Sequence, residues 1–338
     1  MKITYFFRRP RSGFNSIEEL FSGIIQGINK VRETDIIKIP LIGASPLRVI
    51  YNIFFAVRNK GELNHITGDA HYLAIGLGKN TVLTIHDVYS AIRGNIFKKV
   101  YIKLFWFIWP ARCVGSITTI SEFSKQELIK TIPFAADKIK VVHNPYRYDL
   151  LKYEKKSADT SLGVEPVKIM LVGTKPNKNL ERTIRALQNA RVELCILGKL
   201  TPAQIQLLQS TSTQYVNRYN LSYEDVIRWY LQCDLLSFMS TYEGFGMPIV
   251  EAQVLGLPVV TSNLGAMREV AKDGACLVDP YDELDMRKGI EKVISHKEYR
   301  KELIQKGIQN ANRFDPHKIT NQYMSVYDEM GERFNLLS

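Results

Sequence analysis

Along this chain, short runs rich in β-branched and aromatic residues alternate with stretches whose apolar positions recur at helical spacing. The strand-like runs fall at 2–7, 35–39, 63–67, 81–85, 114–119 and 139–142, and again at 167–172, 192–197, 213–216, 234–238, 258–261 and 275–278. Helical patterns are clearest at 121–131, which Ser121 opens, and at 179–189. A third covers 284–295, with Leu284, Gly289, Ile290, Val293 and Ile294 at helical spacing, and a fourth covers about 316–330 after Phe314-Asp315-Pro316. Strands alternating with helices make parallel sheets flanked by helices, so the fold class is α/β. Six strands and six strands predict two Rossmann-like, doubly wound domains. The polar stretch from Asp149 to Val164, with Lys155-Lys156-Ser157 and no strong periodicity, reads as the linker. The expected domains are therefore 1–160 and 161–314, with a closing helix in 315–338 that crosses back toward the first.

A length of 338 residues suits two domains of roughly 150 residues each, enough for separate cores. Cys113, Cys195, Cys233 and Cys276 lie far apart with no C-x-x-C pair, which argues against a zinc site and a secreted disulfide framework. The opening Met1-Lys2-Ile3-Thr4-Tyr5-Phe6-Phe7-Arg8-Arg9-Pro10 does not read as a signal peptide, because two arginines cut its apolar run. Leu104 to Ala111 is too short to span a bilayer, which takes roughly 20 apolar residues. A cytoplasmic protein is expected.

Charge adds a second clue. Residues 1–160 hold 24 Lys and Arg against 13 Asp and Glu, whereas residues 161–338 hold 21 against 21, so the whole excess lies in the first half. Two stretches there interleave cations with aromatics, Arg48 to Arg58 and Lys98 to Trp109. Each reads either as a core helix with its cations outward or as an amphipathic helix lying on an anionic leaflet. The inner face of the cell membrane is thus a candidate partner. Nucleic acid is not, since no recognised module is visible and the basic residues are dispersed. A nicotinamide oxidoreductase is also disfavoured: neither first strand is followed by G-x-G-x-x-G.

The richest chemistry lies in Ser240-Thr241-Tyr242-Glu243-Gly244-Phe245-Gly246-Met247-Pro248-Ile249-Val250-Glu251-Ala252, which follows an apolar strand and runs into a helix. Pro248 suits a first helical turn, and Gly244 and Gly246 let backbone approach a ligand closely. Exposed N–H groups and the helix dipole then seat an anion such as a diphosphate. Glu243 and Glu251, with seven residues between them, are each able to accept hydrogen bonds from vicinal hydroxyls. Read alone, the glycines equally make a simple turn and Glu251 a dipole partner.

Glu243 to Glu251 resembles the E-x7-E signature of glycosyltransferase family 4, the retaining group 1 enzymes of the GT-B fold, whose two Rossmann-like domains face a cleft. The resemblance extends, in family order, through Thr84-Ile85-His86-Asp87, Thr119-Ile120-Ser121-Glu122, Val172-Gly173-Thr174-Lys175-Pro176-Asn177-Lys178, Gly256-Leu257-Pro258 and Asp279-Pro280-Tyr281-Asp282. It implies that Glu243 holds hydroxyls of the donor sugar beside the amides of Phe245, Gly246 and Met247. It further implies that Glu251 binds ribose, that Lys178 neutralises the departing diphosphate beside Gly173, and that His86 meets the transferred sugar. Residues around Val216 to Tyr219 are expected near the base. The implied partners are a nucleotide-sugar donor, with GDP-mannose ahead of UDP-hexoses, and a glycan or lipid-linked acceptor; the alternative is a catalytically degenerate relative that binds without turnover.

Three departures stand out. Thr174 occupies a position where many members have arginine, with Lys175 as its substitute; Gly13 stands alone in the first loop where a glycine pair is common; and Pro145 follows Asn144 where glycine is frequent. No Asp-x-Asp pair is present, so neither metal nor cofactor is expected. On its own, His86 at a strand end beside Asp87 also reads as hydrogen-bonded structure. His65 and His71, six residues apart with no third ligand nearby, read as loop or acceptor-site residues.

Overall fold

The computed structural model describes residues 1–9, 16–88, 96–153 and 166–336. The chain divides into two compact units, one made of Met1–Pro145 with Asp315–Ser338 and the other of Tyr146–Phe314. Tyr148–Lys152, which overlaps the start of the linker expected from Asp149, is a 3-10 turn with Leu150 buried.

The first unit carries β1 (Ile3–Phe7), β2 (Thr34–Lys38), β3 (Leu63–Ile66), β4 (Thr81–Ile85), β5 (Ser116–Thr119) and β6 (Ile139–Val141) in the order β2-β1-β3-β4-β5-β6. Every pairing is parallel. Side chains alternate across the sheet, as the two-residue repeat of a strand demands. Ile3, Tyr5 and Phe7 point to one core, shared with α1 (Ser16–Ile28) and the closing helix Pro316–Arg333. Phe6, Leu83 and Ile85 point to the other, beneath α2 (Pro46–Arg58), α3 (Ala74–Leu77), α4 (Ile96–Ile102) and α5 (Trp109–Cys113). Lys103–Ile108, between α4 and α5, is a π-helical stretch. α6 (Glu122–Thr131) begins where the sequence places it: Ser121 Oγ accepts from Ser124 N at 3.0 Å, a standard N-cap.

The second unit carries β7 (Val167–Val172), β8 (Val192–Leu197), β9 (Gln214–Arg218), β10 (Leu235–Phe238), β11 (Val259–Ser262) and β12 (Cys276–Val278), in the order β12-β11-β10-β7-β8-β9 and again parallel throughout. Its helices used below are α7 (Leu180–Ala186), α8 (Pro202–Ser210), α9 (Tyr223–Gln232) and α10 (Met247–Val254). All four cysteines are free thiols. Among the described residues no helix is long and apolar enough to cross a membrane.

A buried polar chain ties the closing helix to the first sheet. Tyr5 Oη donates to Tyr327 Oη at 3.1 Å, and Tyr327 Oη lies 2.6 Å from His65 Nδ1. His65 Nε2 lies 2.7 Å from Thr84 Oγ1, which contacts Thr118 Oγ1 at the same distance. With Tyr5 donating to Tyr327, the Tyr327 proton goes to Nδ1, so His65 carries its hydrogen on Nε2 and gives it to Thr84. Burial holds this imidazole neutral and pushes its pKa down to about 3. This corrects the sequence expectation for His65, which lies on β3 with its side chain wholly in the core. His71 is likewise buried, its Nδ1 at 2.8 Å from the Trp106 carbonyl, because the chain packs Phe107 edge-on against its ring.

Candidate functional site

In a doubly wound sheet, strands run outward in both directions from one point, and the helices after the two central strands leave on opposite faces. The crevice they open at the carboxyl ends of those strands is where ligands sit. In the second unit that point lies between β7 and β10. The loops leaving these two strands carry Gly173 to Lys178 and Ser240 to Gly246.

After β7, Gly173 turns the chain at φ +93, and a Cβ there would meet the Lys178 stem at 2.9 Å. Glycine therefore lets the lysine fold back over its own loop. Lys178 closes the 3-10 turn Pro176–Lys178, and its Nζ lies 2.7 Å from Glu243 Oε1 and 4.7 Å from the centre of the Phe238 ring. Asn177 clamps the two loops together. Its Nδ2 donates to the Tyr242 carbonyl at 3.1 Å and to Glu243 Oε1 at 3.2 Å, while its own carbonyl accepts from Thr241 N at 2.8 Å. Lys175 is exposed on the same loop, and Thr174 Oγ1 donates to the Lys199 carbonyl at 2.7 Å.

After β10, Gly246 takes φ +111 and precedes α10, with Pro248 in the first turn. Phe245 is buried, edge-on to Phe314 at 5.4 Å, so its side chain is core and only its backbone serves the loop. Glu251 lies one turn into α10. Its Oε1 accepts from Tyr223 Oη at 3.1 Å and its Oε2 from Tyr230 Oη at 3.2 Å, both from α9. The Arg147 guanidinium stacks over the Tyr223 ring at 4.0 Å. Burial pushes the Glu251 carboxyl up, and the two tyrosine hydroxyls oppose that shift. Burial beside this carboxylate also drives both tyrosine hydroxyls above their ordinary range, so they stay protonated as donors.

The structure thus brings together Lys178, Glu243, Gly173 and the Phe245–Met247 backbone, with Glu251 nearby on α10. Sequence reasoning missed Asn177, Tyr223, Tyr230 and Arg147. The tyrosines carried a usable signal, because a spacing of seven on a helix opened by Ser222 puts both on one face.

In the first unit, the strand order reverses between β1 and β3. Here Arg8, just past β1, donates to Glu18 at 2.6 Å and to Asp69 at 2.9 Å. A pocket of about 130 Å³ opens beside them, lined also by Arg9, Tyr72 and Trp106. His86, just past β4, has Nε2 at 2.8 Å from the Thr67 carbonyl, so Nε2 bears the hydrogen and Nδ1 is the acceptor nitrogen. Burial lowers its pKa and keeps it neutral. Gly13 lies outside the described residues.

Comparison with known proteins follows the same division. The profile described as Glycosyl transferases group 1 matches residues 153–310, and that of Glycosyltransferase Family 4 matches residues 64–149. The O-antigen chain mannosyltransferase B of Escherichia coli is 26% identical over 230 residues, covering 62% of this chain and 60% of that protein. The O-antigen chain mannosyltransferase RfbU of Salmonella typhimurium is 25% identical over 229 residues, covering 65% and 62%. Among solved structures, Anabaena HepE in complex with UDP and glucose superposes with a TM-score of 0.73 at 18% identity, covering 97% of this chain and 99% of that one. The two sheets and these neighbours establish the GT-B fold. The two profiles lie end to end, one over residues 64–149 and the other over 153–310, and show that the chain belongs to the group 1 glycosyltransferases of family 4.

Proposed function

We propose that this chain is a hexosyltransferase that moves a sugar from a nucleoside-diphosphate donor, with retention, to a glycan or lipid-linked acceptor in polysaccharide or glycoconjugate assembly. The observation that carries this reading is the Lys178–Glu243 pair at the switch point of the second sheet, beside the start of α10. The relatives named as mannosyltransferases put GDP-mannose ahead of UDP-hexoses as donor.

The reaction breaks the bond from the sugar's anomeric carbon to the diphosphate oxygen. An acceptor hydroxyl oxygen bonds that carbon, its proton is released, and the nucleoside diphosphate departs. Negative charge grows on the leaving oxygen, and Lys178 with the amides of Phe245, Gly246 and Met247 supplies cation and aligned dipoles for it. No metal is needed in this scheme, and Lys175 adds a second cation on the same loop. Once Lys178 turns to the diphosphate, Glu243 is released to accept hydroxyls of the sugar. At Glu251 each carboxylate oxygen has two acceptor sites, and one tyrosine hydroxyl takes one of them. One remains on each oxygen for the two ribose hydroxyls. His86 is assigned to the transferred sugar and Gly13 to the first loop on the family resemblance. The proposed setting is cytoplasmic.

A thermal-shift titration with GDP, UDP, ADP and TDP, with and without magnesium, tests the site on wild type and Glu251→Ala. Stabilisation by one nucleotide, lost in the variant and indifferent to magnesium, is the expected result. No shift with any nucleotide would overturn the donor site, whereas binding without sugar transfer would move the reading to the catalytically degenerate relative.

A further inference from the structure

One face of the first unit is apolar where nothing described covers it. On α2, Val49, Asn52 and Ala56 are buried against the sheet. Leu47, Ile50, Tyr51 and Phe54 form a stripe on the opposite side, with Leu47 81% and Phe54 66% exposed. α4 presents Ile96, Phe97 and Val100, with Phe97 82% exposed. The two are neighbours: Tyr101 Oη donates to the Ala44 carbonyl at 2.9 Å, tying α4 to the residues that lead into α2. Scattered exposed apolar residues are ordinary, but a contiguous stripe on adjoining helices marks an interaction surface.

Charge selects the partner. Residues 44–61 contain Arg48, Arg58 and Lys60, and residues 96–113 contain Lys98, Lys99, Lys103 and Arg112, with no acidic residue in either stretch. Arg58, Lys60 and Lys103 are exposed. A second copy meeting this face by two-fold symmetry would set cations against cations. A nucleic acid would leave the apolar stripe unused. An anionic lipid surface satisfies both, taking the apolar side chains at the acyl boundary and the cations at the head groups.

We infer that the α2–α4 face docks on an anionic bilayer. Ile42, Gly43 and Ala44, which precede α2, also line the Arg8–Asp69–Trp106 pocket, so docking brings that pocket to the membrane surface. Resting on the transferase reading above, this makes the acceptor an amphiphile held in the bilayer, with its polar head reaching the pocket.

The test is co-sedimentation of the whole chain with vesicles of phosphatidylcholine alone or with about one-third phosphatidylglycerol. Wild type is expected to partition at least about tenfold more onto the anionic vesicles. The double variant L47E/F54E loses about tenfold or more of that binding, and R58E/K60E loses the preference for anionic lipid. All four positions are exposed, so both variants keep the wild-type unfolding temperature. Equal binding to both vesicle types, no binding, or full binding by L47E/F54E would overturn the inference. So would a wild-type dimer that L47E/F54E dissociates without any vesicle binding. Nucleotide binding is not read in this assay, so docking is judged apart from the transferase reading.

Discussion

Lys178 serves two partners in the proposed reaction, and that makes Glu243→Gln informative. In the structure its ammonium lies 2.7 Å from Glu243 Oε1, with both side chains less than one-fifth exposed. A diphosphate entering the loop must draw the lysine away from this carboxylate. The Coulomb attraction at that distance is about 6 kcal/mol at an effective dielectric near 20. Most of it is offset by the desolvation both ions suffer, so the part a ligand must overcome is about 1–2 kcal/mol. Glutamine keeps the shape and removes the charge. Glu243→Gln is therefore expected to bind the free nucleoside diphosphate about 5- to 30-fold more tightly, while sugar transfer falls steeply for want of the carboxylate.

Isothermal titration with the nucleoside diphosphate, not the nucleotide sugar, reads the first effect without the sugar contact. Turnover with the intact donor reads the second. Weaker nucleoside-diphosphate binding by Glu243→Gln would refute the competition, because Glu243 would then be supporting the nucleotide instead of restraining the lysine.

Two further outcomes concern the buried chain at the first sheet. Tyr327→Phe strips His65 Nδ1 and Tyr5 of their shared partner and is expected to destabilise by about 2–4 kcal/mol, whereas Tyr5→Phe removes a donor at one end and loses about 1 kcal/mol; paired denaturant melts check the difference, and equal losses would undo the assigned direction of the chain. His65 and His71 are held neutral by burial, with pKa values pushed down to about 3 and about 4, below the unfolded value of 6.5. Between those limits the unfolded chain binds protons that the folded chain refuses, so this stability is complete above about pH 6.5 and falls by about 1.4 kcal/mol per histidine for each unit below it. Unfolding midpoints measured from about pH 7 to 5 should drop steadily, and a flat profile would contradict the burial.

The strands were legible because both sheets bury nearly every strand, so apolar runs mark them without ambiguity. Ile3–Phe7, Val167–Val172 and Val259–Ser262 all fall within one residue of the runs read from the sequence. The Glu243–Glu251 segment was legible for a different reason: turn glycines, a first-turn proline and two carboxylates in order are a local pattern. What escaped was everything made by contact between distant segments. Asn177 and Tyr242 are 65 residues apart, and nothing in either neighbourhood announces the clamp between them. His65 escaped because period-two alternation gives a side chain's face but not its company; only the fold shows that Tyr327 arrives from 262 residues away. The Tyr148–Lys152 turn looked like linker because only Leu150 of its two leucines is buried, and a pair of adjacent leucines among polar residues sets no helical or strand period.

The closing helix also governs when the first unit can finish folding. The second unit is continuous, 146–314, so all its strands are synthesised before the closing helix. The first unit is not. Ile3, Tyr5, Phe7 and Val82 share a core with Ile319, Tyr323 and Tyr327, which are synthesised only after the whole second unit. At the roughly 5–20 residues per second of translation, the uncovered face of the first sheet waits about 10–35 seconds for its lid, open to chaperones or to other nascent chains. Loss of Pro316–Arg333 would therefore leave the continuous second unit whole and open the core of the first, the unit whose strands are made earlier.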